Sequence, residues 1–179
     1  MNNLEDLLEA IHFAAVRHRS QRRKDVEASP YINHPIAVAH LLATVGEVRD
    51  TSVLQAAVLH DTLEDTHTTV EELRSHFGER VARIVEEVTD DKNLPKLRRK
   101  DLQIQLAPQK SGEAALIKIA DFTCNLRDLV NAPPPEWSST RIRGYFDWAA
   151  RVVAGLRCEK AAISQAFDIA YERGNDLLP

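Results

Sequence analysis

Between Thr51 and Asp65 the chain reads TSVLQAAVLHDTLED, a helix-spaced run that is apolar over most of its circumference yet carries His60, Asp61, Glu64 and Asp65. A helix apolar nearly all round is normally buried. Burial here would take an imidazole and three carboxylates with it. His60 and Glu64 are four residues apart, as are Asp61 and Asp65, and Asp61 and Glu64 are three apart. On an unbroken helix such side chains share one face. Clustered, desolvated carboxylates repel and must find protons or cations. A divalent cation offsets that cost directly, and a His–carboxylate donor set suits Mn²⁺, Fe²⁺, Zn²⁺ or Mg²⁺. The absence of cysteine near this run argues against a structural zinc site. The plainer alternative is a solvated, charged helix end, because a His-Asp dipeptide alone is common.

The rest of the chain predicts a helical frame. Sustained apolar/polar alternation and Asn-Gly hairpin turns are absent, while helical periodicity recurs. Helices are predicted over 3–19, over 36–45 with Pro35 in the first turn, and over 51–65 with Asp50 or Thr51 as cap. Thr68 and Glu71 have capping-box spacing and open a helix over 69–77 that stops at Gly78. Further helices follow over 79–89, 95–107 (started by Pro95), 113–131 (one long or two short), 140–156 and 159–173. The polar, basic stretch SQRRKDVEASPYINHP reads as a loop, and the triplet Pro133–Pro135 breaks the chain. No internal repeat or linker divides it. The expected class is all-α, a compact multi-helix bundle forming a single domain over 1–179.

Composition narrows the partners. Apolar residues make up 44% and charged residues 28%, as in a soluble globular protein. A net charge of −4 speaks against a dedicated nucleic-acid binder. It leaves room for a small anionic substrate held by a metal or a local basic cluster. Cys124 and Cys158 form no Cys-x-x-Cys pair, which suits a reducing compartment. The acidic opening MNNLEDLLEA lacks the basic region of a secretory signal. No apolar run approaches the ~18 residues of a membrane span. The expected location is therefore cytoplasmic, with no membrane or nucleic-acid partner; the oligomeric state stays open.

Two residues distant in sequence add to the acidic helix. His34 lies in YINHPI at the entry to the second helix. Asp121 lies in ALIKIADFTCNLRDL, among Ile117, Ile119 and Ala120, where a charge has little reason to be buried. Alone, His34 could hydrogen-bond a loop, and Asp121 could pair with Lys118 or Arg127.

Read together, the segments QRRKD, PYINHP, VLHDTLEDT, FGERVARIVEEVTDDK, KIADFTCNLRDL and RIRGYFDWAARVVAGL, in this order, give the chain a family likeness. It resembles the HD-domain (p)ppGpp hydrolases, the hydrolase half of RelA/SpoT enzymes, and especially their stand-alone small forms of the metazoan SpoT homologue type. The likeness runs from about residue 5 to about residue 155. It implies an all-helical HD fold and one metal per chain, usually Mn²⁺, held by His34, His60, Asp61 and Asp121. Glu64 and Asp65 match the acidic pair that works on the attacking water. Asn125 matches an asparagine one turn after the last ligand. Arg23 and Lys24 match a basic loop near the nucleotide, and Lys96, Arg141 and Tyr145 match positions lining the substrate site.

The resemblance implies metal-assisted hydrolysis of guanosine 3′-diphosphate 5′-di(tri)phosphate to pyrophosphate and GDP or GTP. The chain is too short for the synthetase and regulatory domains of the long enzymes, so hydrolysis without synthesis is expected. Two alternatives stay open. One is a phosphatase acting on another nucleotide, such as the 2′-phosphate of NADPH or a nucleoside monophosphate. The other is an HD module that binds nucleotide without turnover; the Glu64–Asp65 pair argues against it. The chain departs from the family at Phe122, where a basic residue is common, and at Thr123 and Cys124, where a bulkier pattern is usual. A lost charge at 122 implies a weaker Michaelis constant for (p)ppGpp. With about 100° per residue on a helix, residue 122 can equally face the core and simply pack.

Overall fold

A computed structural model describes residues 3–177; Met1 and Asn2, from the acidic opening, and Leu178 and Pro179 lie outside the described residues. Within them the chain forms α1 (Asn3–Arg17), α2 (Asn33–Thr44), α3 (Thr51–Leu59), α4 (Thr62–Asp65), α5 (Val70–Val88), α6 (Lys96–Leu106), a 3₁₀ turn (Ala107–Gln109), α7 (Gly112–Asn131), α8 (Ser139–Val153) and α9 (Ala161–Leu177). No strand forms among the described residues; one isolated antiparallel bridge, Arg22 with Pro30, pins the loop after α1. The all-α expectation holds.

Two helices carry the core. In α3, Val53, Ala56, Ala57, Val58 and Leu59 are all buried, as a run apolar nearly all round requires. It packs against α1, α2, α5 and α7. The single long helix α7 buries Ile117, Ile119, Ala120, Phe122 and Leu126, and it packs against α2, α3, α5, α8 and α9. On α9, a Cβ at Gly174 would fall 1.9 Å from the Phe146 ring, so only glycine allows α8 and α9 this close. No helix among the described residues is long and apolar enough to cross a membrane.

Several boundaries differ from the pattern reading. The helix expected over 51–65 breaks after Leu59. The Thr62 hydroxyl donates to the Leu59 carbonyl (2.6 Å), and His60 Nδ1 donates to the Ala57 carbonyl (2.8 Å). Side chains thus claim carbonyls that an unbroken helix would give to Leu63 and Asp61. The turn resumes as α4, with Asp65 N on Asp61 O at 2.9 Å. At α5 the cap is Thr69, which accepts from Glu72 N at 3.2 Å; the capping-box register is one residue later than Thr68–Glu71. Thr68 instead bonds the Thr66 hydroxyl (2.7 Å). Gly78 has φ 83°, a left-handed conformation that kinks α5 where the sequence ends one helix and begins another. Asp50 caps α3 as expected, accepting from Ser52 N at 3.0 Å. The last helix runs to Leu177, four residues past its expected end at 173.

Helix α6 is unlike the others because it buries no residue. Trp148 of α8 fastens it by donating Nε1 to the Lys100 carbonyl (3.2 Å).

Candidate active site

Three elements deliver the buried donors. The first turn of α2 presents His34, the end of α3 presents His60, and the middle of α7 presents Asp121; each is under a tenth exposed. Their ligand atoms all lie within 4.8 Å of one another. His34 Nε2 is 3.0 Å from Asp121 Oδ1, and His60 Nε2 is 3.8 Å from the same oxygen. Asp61, in the break between α3 and α4, joins through Oδ2, 3.0 Å from His60 Nε2 and 4.0 Å from His34 Nε2.

The break in the helix sets the chemistry of His60. Its Nδ1 can only donate to the Ala57 carbonyl, so the neutral ring carries its lone pair on Nε2, inside the cluster. That buried nitrogen makes no hydrogen bond of good geometry. A neutral imidazole with one nitrogen tied to a carbonyl and the other facing carboxylates is the form that binds a metal. Two imidazoles and the Asp121 carboxylate converging within 4.8 Å, with Asp61 beside His60, fit a divalent ion.

Charge compensation is visible in the ionisation of the cluster. Burial opposes the charged form of His60, but the Asp61 and Asp121 carboxylates outweigh it and raise the imidazole to about 9. Burial likewise opposes ionisation of Asp61, yet His60, His34 and the Tyr31 phenol hold it well below the usual carboxylate range. For Asp121 the Lys118 ammonium and His34 overcome burial in the same direction. Glu64 is different: burial, then the charges of Asp90, Asp61 and Asp65, raise its carboxyl. The acid nearest to gaining a proton thus lies beside the cluster rather than in it.

A second layer fixes these donors. The Tyr31 hydroxyl donates to Asp61 Oδ2 (2.7 Å), and burial pushes that phenol far above its ordinary range. Asn125 donates Nδ2 to Asp121 Oδ1 (2.7 Å) and accepts at Oδ1 from Arg23 (3.0 Å). Arg23 also reaches Asp128 at 2.6 Å. Lys118 lies 3.4 Å from Asp121 Oδ2, the pairing the sequence left open against Arg127.

The cluster opens into a cavity of about 350 Å³, joined to a second lobe of about 550 Å³ through shared walls at Lys24, Tyr31, His34, Asn125, Trp137 and Tyr145. Of the residues singled out from sequence, Lys24, His34, Asp61, Glu64, Lys96, Asp121, Asn125, Arg141 and Tyr145 line the first lobe. His60 sits behind that wall. Arg23 and Asp65 border the second lobe instead. The Asp65 carboxylate is paired with Lys92, whereas Glu64 is paired with Arg99. Glu64 and Asp65 are consecutive residues of α4, so their side chains leave the helix about 100° apart.

Sequence reasoning missed part of the wall. Tyr31 lies in PYINHP, three residues before His34, and that spacing was the available signal. Arg99 and Lys100 come from the exposed α6 and carry no motif. Trp137, beside the proline triplet, and Trp148 build an aromatic wall with Tyr145 and Phe122: Phe122 meets Trp148 edge-to-face at 5.1 Å, and Tyr145 meets Trp148 at 5.3 Å. Arg141 lies over Trp137 at 4.2 Å, and Lys100 over Trp148 at 4.2 Å. Phe122 is 1% exposed, so the aromatic departure at 122 is a packed side chain. Burial raises the Cys124 thiol to about 12, so it is inert at neutral pH. Lys24, Lys96, Arg99, Lys100, Lys118 and Arg141 put six cations around four carboxylates, Asp61, Glu64, Asp90 and Asp121. Such a cavity suits a polyanion that brings its own negative charge to a metal.

Comparison with known proteins agrees with this chemistry. The family model described as HD domain matches residues 10–143. A guanosine-3′,5′-bis(diphosphate) 3′-pyrophosphohydrolase of Homo sapiens is 56% identical over 167 residues, 93% of this chain and 93% of that one. One of Danio rerio is 54% identical over 169 residues, 94% of each chain. The solved structure of a metazoan orthologue of SpoT, described as hydrolysing ppGpp, superimposes with a TM-score of 0.91 at 43% identity, covering 94% of each chain.

Proposed function

The chain belongs to the HD domain family, and from that premise we propose that it hydrolyses (p)ppGpp to GDP or GTP and pyrophosphate with a divalent metal. The observation that carries this reading is the pairing of a buried His34–His60–Asp121 cluster, flanked by the half-buried Asp61, with a cationic cavity. The relatives named for this activity match nearly the whole chain.

His34, His60, Asp61 and Asp121 would hold the ion, with Mn²⁺ the proposed metal. A divalent ion supplies Lewis-acid polarisation of the phosphate and acidifies the attacking water. The chain's own residues do the rest. Glu64, at the cavity wall and with a raised carboxyl, takes the proton from that water. The water oxygen attacks the phosphorus bonded to the ribose 3′-oxygen. The P–O3′ bond breaks, the 3′-oxygen leaves and takes up a proton, and pyrophosphate departs. Lys24, Lys96 and Arg141 balance the phosphates from the cavity rim, and Arg23 and Tyr145 border the nucleotide's path into the second lobe. Asn125 orients Asp121 through its 2.7 Å bond. Asp65, paired with Lys92, is proposed to act from the neighbouring lobe and not on the water.

The test is an incubation of Mn²⁺-loaded protein with ppGpp, pppGpp, NADPH and nucleoside monophosphates, with products identified by chromatography. Pyrophosphate together with GDP or GTP is the expected outcome. Release of inorganic phosphate from NADPH or a monophosphate, with (p)ppGpp untouched, would replace this reading with the alternative substrate. Binding without any product would make the chain a nucleotide-binding module.

A further inference from the structure

We propose that Arg99 is a positioning residue for the hydrolysis, holding the Glu64 carboxylate in line with the metal cluster from a helix that is not part of the core. The inference rests on the reading of Glu64 as the base. Arg99 places its guanidinium 3.2 Å from Glu64 Oε1, and the backbone N–H of Asp90 lies 3.4 Å from Oε2. Each carboxylate oxygen therefore has its own donor, which restricts rotation of the group. Without Arg99, Glu64 stands among Asp61, Asp65 and Asp90, and repulsion would turn it away from the place where it is needed. Arg99 is only 23% exposed at its side chain, and Glu64 22%.

The origin of this contact sets it apart. Every proposed metal ligand reaches the site from α2, α3 or α7, or from the turn after α3, on the core side. Arg99 reaches it from α6, which buries no residue. Besides Ile104, which packs partly buried against the core, polar bonds seat α6: Trp148 Nε1 on the Lys100 carbonyl at 3.2 Å and Gln103 Nε2 on Asp90 Oδ2 at 2.5 Å. Gln103 lies one turn after Arg99, and Asp90 is the residue whose N–H meets Glu64. The three residues thus close a loop that ties the seating of α6 to the orientation of the base. The rival role is direct phosphate binding, which the guanidinium's place on the cavity wall also permits. The two roles separate kinetically: a group that binds substrate and transition state alike changes KM, whereas one that orients the base changes kcat.

The experiment compares Arg99→Gln, Arg99→Lys, Glu64→Gln and the double variant Arg99→Gln/Glu64→Gln, all Mn²⁺-loaded, on ppGpp. Metal content and circular dichroism are measured for each. Arg99→Gln is expected to lower kcat by ~10–100-fold, with KM within about threefold, because loss of an orienting partner costs on that scale. Arg99→Lys should recover part of the loss. The double variant should be no slower than Glu64→Gln by more than about twofold, since Arg99 acts through Glu64. A raised KM at unchanged kcat would make Arg99 a substrate ligand and overturn the proposal. So would losses that multiply in the double variant, or metal lost from folded Arg99→Gln. If Glu64→Gln alone turns over like the wild type, the base assignment falls and the proposal with it, a failure visible without touching Arg99.

Discussion

His34, His60 and Asp121 reach the cleft from helices whose other side chains fill the core, whereas Lys96, Arg99 and Lys100 reach it from α6, which buries no residue. The first wall is desolvated, and His60, Asp61 and Asp121 are each held by a residue behind them, Ala57, Tyr31 and Asn125. The second wall is basic and half-buried, with only Lys96 exposed, and a few polar bonds and Ile104 fasten it. The contrast follows from what each wall must do. Ligands for a small ion must converge to within a few tenths of an ångström, and side chains on core helices have their rotamers locked by packing. Cations that meet a large polyanion tolerate looser placement: Lys96 stays hydrated, while the half-buried Arg99 pairs with Glu64 and Lys100 rests on Trp148, so no unpaired charge is buried. Changes in the two walls should therefore fail differently: in metal and stability on the core side, and on the α6 side in KM at the lysines but in kcat at Arg99, which holds Glu64.

The largest effect expected is that of Asp61→Ala. Removing Asp61 leaves His60 facing the cluster with one carboxylate fewer and frees the Tyr31 hydroxyl from its acceptor. Metal and turnover should be lost together, because a missing ligand is not replaced easily. Elemental analysis checks this directly. Full occupancy in the folded variant would show that Asp61 is no ligand and would break the core-wall half of the comparison.

Phe122→Ala comes next, read as stability. The ring is 1% exposed, lies edge-to-face on Trp148 at 5.1 Å, and has the Lys118 ammonium 5.1 Å above it. Truncating a buried Phe typically costs about 3–5 kcal/mol. For a chain of this size that lowers Tm by roughly 6–20 °C, at about 2–4 °C per kcal/mol. Phe122→Lys should also destabilise, since it adds a second ammonium beside Lys118. A thermal melt of metal-loaded protein decides. An unchanged Tm with improved KM in Phe122→Lys would mean that residue 122 belongs to the substrate wall.

The same division explains what could be read from the residues. The core wall was legible because its signal is a contradiction: charged side chains in VLHDTLED and KIADF sit where the pattern demands apolar ones. The all-helical frame was legible from periodicity, Gly78 and the Asp50 cap. The break at His60 was not, because two side chains capturing carbonyls overrode good helix formers, and nothing in the spacing announces that choice. The different partners of Glu64 and Asp65, Arg99 and Lys92, follow from their adjacency on α4, which turns them about 100° apart. The one-residue shift from Thr68 to Thr69 at the α5 cap is a contest between two adjacent threonines, decided by Thr66 taking the first. Arg99, Lys100, Trp137 and Trp148 were missed because basic and aromatic residues that end up half-buried on a helix or loop carry the same sequence signal whether or not they line a site.

Tyr31→Phe is a finer probe of the core wall. It removes one 2.7 Å hydrogen bond to Asp61 and leaves the ring, which packs on His18 at 5.0 Å. Outer partners of metal ligands typically contribute 10–100-fold in affinity, so Mn²⁺ binding should weaken by about that factor. Titration calorimetry on the metal-free protein measures it without any turnover assay. An unchanged affinity would mean that Asp61 is oriented by its place in the chain break alone.

Lys96→Ala should give the smallest effect, and it probes the other wall. Lys96 is the first residue of α6, is exposed, and borders the cavity. An exposed ammonium near a polyanion acts mostly through a screened field, and it acts alike on bound substrate and transition state. KM for ppGpp should rise by about two- to tenfold with kcat nearly unchanged, an effect of roughly 1 kcal/mol in the range usual for exposed charges. Raising the salt should shrink the difference between variant and wild type, because screening weakens the wild-type contact first. A loss in kcat at constant KM would point elsewhere. Lys96 opens the helix that carries Arg99, so such a result would mean that the substitution had unseated α6 and, through Arg99, turned the base.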